Sequence, residues 1–535
     1  MTVSEHSPLL NPSADTEEGA CEAVNEKQSD TLIIFAAFLG IFIASADESL
    51  VISTYSSIAS QFHHLSEGSW LLLAYNFGYC LSLPAYGVIG EAYGRKNVLL
   101  TSYILFALSC LACGASTSIT QLVLSRVLTG ISSAGISVVV SVILTSLLPT
   151  KDIALYRGYQ NSISITGRSL GAPIGGFLAD TIGWRWSFYG QVPLVLLCTL
   201  FTCYRLPSSM NKSDSQEDLP PMPPTRRSLL RTLDIAGLVS FAGTILVMLF
   251  LIQAAGTEDD IISRETILLA FAFLSGVTLL VVIELFWASN PIIPVRMLAQ
   301  NIGRYWILQV LLLASRFALV SNLVPYLIRA ENTSDFMAAI WLVTTSLGVS
   351  IGSIVSGLVI KYTKRFKNMT LLSTLLTLAI YTLILLTYPH GFNAAKGILL
   401  LIAGFAPGIL FPALFVGMSA TAPQGTLSVC ISTYYLSQQV GSIIGPAVGS
   451  ALVQRDFKRR LMGVGGLGGS GLSDKDMIIN RILNEVRFAN GLPGEMRGVV
   501  RACFLSAFRA LPVFSIVGTV IMIPILASLK EPVLA

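Results

Sequence analysis

Long apolar runs separated by short polar breaks fill the chain from about residue 31 to its end. A helix needs roughly 20 apolar residues to cross a hydrocarbon core about 30 Å thick, and about fourteen runs of that order can be marked out. They lie near 31–58, 69–91, 97–116, 121–148, 159–182, 185–205, 234–255, 265–288, 304–328, 336–360, 369–389, 395–420, 427–452 and 504–529. The pattern predicts an all-α polytopic membrane protein. Composition points the same way: 12% of the 535 residues are charged, 53% are hydrophobic and the mean hydropathy is +0.70, outside the range of soluble domains.

Charge then sets the expected topology. A net charge of +4 over this length is too small to suggest a nucleic-acid partner, and none is expected; membrane lipid is the expected surroundings. With the N-terminus in the cytosol, the short cytosolic loops collect Arg95 and Lys96, Lys151 and Arg157, Arg226, Arg227 and Arg231, Arg296 and Arg304, and Lys361 to Lys367. The opposite short loops hold little beyond Arg185, Arg329 and Lys396, as the positive-inside rule requires for an even number of spans. The long basic loop 453–503 falls on the far side, where the rule is weak.

Five regions follow. Residues 1–30 are a polar, acidic cytosolic tail expected to be disordered, with no signal peptide. Residues 31–205 hold six spans, 206–233 a Pro-rich cytosolic linker, 234–288 two further spans, and 289–535 six spans with the far-side loop 453–503. In the tail, Glu5, Leu9 and Leu10 form an acidic dileucine resembling signals that sorting adaptors read to route cargo to vacuoles. In the far-side loop, Gly463, Gly465 and Gly468 satisfy G-x-G-x-x-G without a preceding strand, so they read as a flexible linker. Ser473 can cap a short helix after it, lying on the membrane or over the bundle.

Several motifs carry mechanism. "GVIGEAYGRKNVLL" follows the second span: Gly87 and Gly90 allow close helix approach, Glu91 neutralises Arg95 or a helix end, Gly94 makes the turn, and Arg95 with Lys96 anchors the cytosolic face. This resembles the gating-loop signature of the major facilitator superfamily, with Glu91 in place of Asp and Ala92 in place of the first Arg. "LSRVLTGISSAG" around Arg126 resembles the family's fourth-span pattern. Gly167, Gly171, Pro173, Gly175 and Gly176 resemble the glycine-proline motif of its antiporters, with the Pro one place late. "GWRWSFYGQVP" and "NPIIPVRML" are similar to the fourteen-span drug:proton antiporter subclass, and "ADESLVISTYSSIASQF" with "SWLLLAYNFGYCLSLP" looks most like its fungal vacuolar basic amino-acid transporters. The resemblance implies two six-helix bundles of inverted repeats flanking a cavity that opens alternately to either side, plus two extra central spans.

Within that frame, Asp47 and Glu48 are adjacent carboxylates in the first span. Charged residues at mid-membrane cost about 3 kcal/mol each, and adjacent helical residues point roughly 100° apart. Asp47, which matches the subclass's first-span Asp, is expected to face the cavity while Glu48 packs toward another helix. Arg168 and Arg126 lie within reach of the pair. Asp47 would hold a proton when open to an acidic lumen and exchange it for a cationic substrate from the cytosol; a buried ion network fixing helix register is the alternative. Arg316 stands mid-span without a nearby acid and would receive a substrate carboxylate, or else bond to carbonyls. Asn76, Tyr434, Tyr435 and Gln438 would line the path, or serve helix packing. Glu284 is expected near a cytosolic helix end, hydrated by snorkelling.

The expected activity is a proton-coupled antiporter moving small cationic amino acids (Lys, Arg, His) from cytosol to vacuole, driven by a proton gradient with no cofactor and no metal. A plasma-membrane drug or toxin exporter and a non-transporting nutrient sensor are the alternatives. Enzymatic chemistry has no support: His6, His63, His64 and His390 are scattered, and Cys110-x-x-Cys113 lacks further ligands and reads as packing. Asn332, in "NTS" of a far-side loop, is a glycosylation candidate.

Overall fold

The computed structural model describes residues 33–51, 54, 58, 61–62, 70–206, 235–257, 263–287, 295–333, 335–423, 426–463, 478–479, 481–483, 488 and 492–531. Glu5, Leu9, Leu10, the linker arginines, Gly465, Gly468 and Ser473 lie outside them.

The described residues form fourteen helical rods and no strand. They are α1 Ile33–Val51, α2 Trp70–Tyr93, α3 Arg95–Ala115, α4 Ile119–Leu147, α5 Thr150–Thr181, α6 Trp184–Arg205, α7 Ile235–Thr257, α8 Arg264–Trp287, α9 Asn301–Glu331, α10 Asp335–Thr363, α11 Lys367–Thr387, α12 Ala394–Thr421, α13 Leu427–Gly463 and α14 Gly494–Ser528. Rod α6 is interrupted at Gly190, α9 at Asn322 and α14 at Arg509. Eleven rods are long and apolar enough to cross a membrane by length and composition. Among the other three, α5 and α13 fall short because polar stripes run along them, and those stripes prove to line the interior.

Local chemistry sets the boundaries. Ser118, Ser263 and Asn393 cap α4, α8 and α12 by accepting from the backbone N–H three residues on. Gly94 separates α2 from α3 at φ 84°, a conformation that favours glycine. Asn332 ends α9 at φ 51°, with its own N–H bonded to Ile328 O and that of Thr333 to Leu327 O. This left-handed cap accounts for an Asn at 332 on backbone grounds alone; its side chain is exposed.

The chain packs as two similar halves, α1–α6 and α9–α14. In the first, α2 lies against α4 and α3 against α6; in the second, α10 lies against α12 and α11 against α14. The halves meet where α5 crosses α10 and α13 crosses α2. Small residues make these contacts close: a Cβ on Gly158 would stand 2.5 Å from Ser353 O, one on Gly357 2.6 Å from Leu155 Cα, and one on Gly87 2.5 Å from Ser432 Oγ. All three contacts lie toward the end of the bundle that carries the short loops of Arg95 and Lys361, and Lys361 Nζ there pairs with Asp152 Oδ1 at 2.9 Å. Gly90 departs from expectation, since nothing lies within 4 Å of where its Cβ would be.

The two additional rods sit outside this frame. Helix α7 packs on α2 and α13, with Phe250 edge-on to Trp70 at 5.0 Å, whereas α8 leans on α7. Phe271, Leu274 and Leu279 of α8 are exposed, as a lipid-facing surface would be. Glu284 is buried in a π-helical turn, Ile283–Trp287, rather than hydrated as expected. At the opposite end of the molecule, Arg329 donates to Ile482 O and Leu483 O, and Ile479 and Ile482 are buried with Phe457 and Phe504. The described part of the far-side loop therefore covers the end of the second half.

Candidate functional site

Glycine positions α5 against α1. A Cβ at Gly167 would stand 2.6 Å from Phe42 O, and one at Gly171 would collide with Ala46 O and Ser49 Oγ. The same arrangement recurs in the other half: Gly441 of α13 lies on Val310 O and Gly445 on Ala314 of α9. Pro173 continues α5 on the outer, exposed side, Gly175 is buried and Gly176 partly so. This close approach fixes the rotation of α1 about its axis, and with it the direction of both carboxylates.

The outcome reverses the expected orientation of the acidic pair. Asp47 faces away from the cavity into the first half and is fully buried; its Oδ2 accepts from Arg126 Nη1 at 2.6 Å and its Oδ1 from Gln191 Nε2 at 3.2 Å. Arg126 is 1% exposed and lies against the Tyr75 ring at 4.8 Å. Glu48 is the residue that faces inward, where its Oε2 pairs with Arg168 Nε at 2.9 Å, the two side chains being 28% and 43% exposed. The physical reason is the rotation of about 100° between neighbours on a helix. The α5 contact uses Ala46 and Ser49, so Asp47 turns toward α4 and α6 while Glu48 turns to the interior.

Glu48 and Arg168 line a cavity between the halves. Tyr75, whose ring stacks on Tyr79, forms part of its wall and separates it from the Asp47–Arg126 pair. From the second half come Arg316, Leu313, Phe317, Phe411, Tyr435 and Gln438. Arg316 is 8% exposed and its Nε has no hydrogen-bond partner. Among the described residues Glu48 is the one carboxylate lining the cavity.

Other expected site residues take different places. Asn76 lies outside the cavity lining, donating to Leu72 O and accepting from Gln439 Nε2 at 2.6 Å, so it ties α2 to α13. Tyr434 is buried behind the wall, bonded to Gln309, whereas Tyr435 lines it. In the loop motif, Lys96 Nζ donates to Cys203 O and Leu206 O and so caps α6, while Gly94 makes the turn. Glu91 sits in the last turn of α2, and its side chain lies outside the described positions. Cys110 and Cys113 are buried in helix packing.

Arg157 is the residue that sequence reasoning missed. It was expected in a cytosolic loop, yet α5 begins at Thr150 and buries it at 7% exposure. Its Nη1 donates to Ser141 Oγ, Gln160 Oε1 and Tyr435 Oη at 2.9, 2.9 and 2.6 Å, and its guanidinium lies 4.0 Å from the Phe415 ring centre. It thus joins both halves at the cavity wall. A signal existed: polar residues at 157, 160, 161, 164 and 168 follow helical spacing along one face of α5.

Comparisons with known proteins agree with this architecture. The chain is 27% identical over 520 residues to the vacuolar membrane amino acid uptake transporter fnx2 of Schizosaccharomyces pombe, covering 95% of this chain and 85% of that protein. It is 27% identical over 373 residues to vacuolar basic amino acid transporter 1 of Saccharomyces cerevisiae, covering 68% of this chain and 63% of that one. The crystal structure of the human organic anion transporter MFSD10 superposes with a TM-score of 0.54 at 15% identity, over 91% of this chain and 99% of the other. The Major Facilitator Superfamily model matches residues 37–446. With its paired halves and the cavity between them, this multi-pass membrane chain belongs to the Major Facilitator Superfamily of transporters.

Proposed function

We propose that the protein is a proton-coupled antiporter carrying basic amino acids from the cytosol into the vacuole across the vacuolar membrane. One observation carries the reading: Glu48 and Arg316, a carboxylate and a guanidinium whose Nε has no hydrogen-bond partner, face one cavity from opposite halves. An amino acid presents the complementary pair, an amino group for Glu48 and a carboxylate for Arg316. Charge-assisted hydrogen bonds of this kind are roughly twice as strong as neutral ones, and more so away from water. The names of the two fungal relatives supply the substrate class and the membrane.

The proposed cycle uses competition for Glu48. With no substrate bound, Arg168 holds it; an incoming ammonium group displaces Arg168, and a proton from the acidic lumen later displaces the ammonium group. No cofactor enters, since the proton gradient supplies the work. The Asp47–Arg126 pair, sealed from the cavity, serves as scaffold in this scheme. A drug exporter is less well matched, because a cation lacking a carboxylate leaves Arg316 buried without a counter-charge.

The test is uptake of radiolabelled lysine into proteoliposomes under an imposed pH gradient. The wild type is expected to accumulate lysine, and Glu48→Gln to lose gradient-driven accumulation and to bind lysine more weakly. Gradient-driven accumulation that survives in Glu48→Gln would remove Glu48 from the coupling step.

A further inference from the structure

The charge inside the cavity is not balanced. Four ionised side chains line it: Glu48, Arg157, Arg168 and Arg316. Arg168 is matched by Glu48 at 2.9 Å. Asp47 compensates nothing here, because it is spent on Arg126 at 2.6 Å behind the Tyr75 ring. That leaves two guanidiniums without a carboxylate among the described residues, Arg157 on α5 and Arg316 on α9. Both are more than nine-tenths buried, at 7% and 8% exposure.

An uncompensated buried charge is costly, and hydroxyls or aromatic faces soften that cost without cancelling the charge. Arg157 has such softening from the Phe415 ring at 4.0 Å and the Tyr435 ring at 4.9 Å and from Ser141, Gln160 and Tyr435, all reached by Nη1, but from no carboxylate among the described residues. Arg316 lies 5.2 Å from the Phe317 ring centre, and its Nε has no hydrogen-bond partner. A basic amino acid brings one carboxylate and two cationic groups, and so adds to the excess of positive charge. A dicarboxylic amino acid brings two carboxylates and one ammonium group, so it lowers the net charge of the four side chains from +2 to +1, with Arg168 released from Glu48 as in the cycle above.

We propose that the cavity also binds small dicarboxylic amino acids, with one carboxylate on Arg316, the second on Arg157 and the amino group at Glu48. The inference rests on the reading that this cavity is the substrate site, and not on the basic side chain assigned above. Arg157 becomes a specificity-determining residue: it discriminates by the second carboxylate, whereas Arg316 takes the one that every amino acid carries. Because Arg157 also bonds Tyr435 of the other half, a ligand there would compete with an inter-half contact.

The experiment measures binding of L-glutamate and L-lysine to the full chain in lipid nanodiscs, by calorimetry and by competition against labelled lysine. Glutamate is expected to displace lysine in the wild type. Arg157→Gln should lower the glutamate-to-lysine affinity ratio by roughly tenfold, the size expected for one lost charge-assisted bond, and Arg316→Gln should weaken both ligands. Tyr435→Phe serves as control, since it removes the Arg157–Tyr435 bond but keeps the guanidinium; the ratio should then stay within about twofold of the wild type. The inference is overturned if calorimetry shows no glutamate binding, or if Tyr435→Phe shifts the ratio as far as Arg157→Gln does. If glutamate binds by calorimetry but lysine is neither bound nor transported, the basic amino-acid reading fails and this one stands.

Discussion

The two halves of the protein use one packing device and arrive at opposite chemistry. Gly171 seats α5 on Ala46 of α1, and Gly445 seats α13 on Ala314 of α9. Two residues beyond those alanines stand Glu48 and Arg316, so equivalent positions in the two halves present opposite charges to one cavity. Their neighbours differ as well. Glu48 is held by Arg168 of α5, whereas the equivalent place on α13, one residue after Gly441, holds Ser442 and leaves Arg316 unmatched. Repetition of the scaffold therefore sets where side chains point, and divergence of single residues decides what they bind.

The same contrast operates inside α1, between Asp47 and Glu48, and mutation can sharpen it. The largest effect is expected from Asp47→Asn, which strands Arg126 in the core without a counter-charge and costs about 3–5 kcal/mol. Thermal unfolding in detergent should show a large fall in Tm, with Glu48→Gln losing about 1 kcal/mol or less because its partner is half-exposed. Equal losses in the two variants would erase the distinction between a scaffold pair and a cavity pair.

Next come the matching glycines. Gly171→Ala and Gly445→Ala place a methyl group against the backbone of the facing helix, and each should cost about 1–3 kcal/mol. The two sites lie in separate halves, so the double variant should show a near-additive loss in the same unfolding assay. A strongly unequal pair of losses would break the equivalence of the halves. The smallest effect belongs to Asp152→Asn, which removes the ion pair with Lys361 between the halves. Its loss should be the smallest of the set, and the difference from wild type should vanish in high salt, where exposed pairs are screened.

Much of the architecture was legible in the chain because a bilayer imposes a length on every apolar run. Fourteen runs gave fourteen rods, including the two outside the paired halves. One boundary error fell on α5, where Arg157 counted as a loop residue because the polar stripe broke the apolar pattern. That stripe lines the interior, and a helix lining a polar cavity defeats a search for hydrophobicity. The glycines at 441 and 445 carried the same four-residue spacing as those at 167 and 171, a repeat that would have revealed the second close crossing.

What the sequence determined by itself was the membrane environment, the approximate number of rods, the family likeness and the short list of buried charges, all of which follow from composition along a line. Tertiary structure decided which of those charges meet. Asp47 and Glu48 differ by one position and about 100° of helical turn, and no one-dimensional pattern says which direction faces a cavity. The answer came from a contact between α1 and α5 made by residues more than a hundred positions apart, Ala46 against Gly171. Rotation about a helix axis is fixed by packing against neighbours, so the partner of each charge, and with it the chemistry of the cavity, exists only once the helices are assembled.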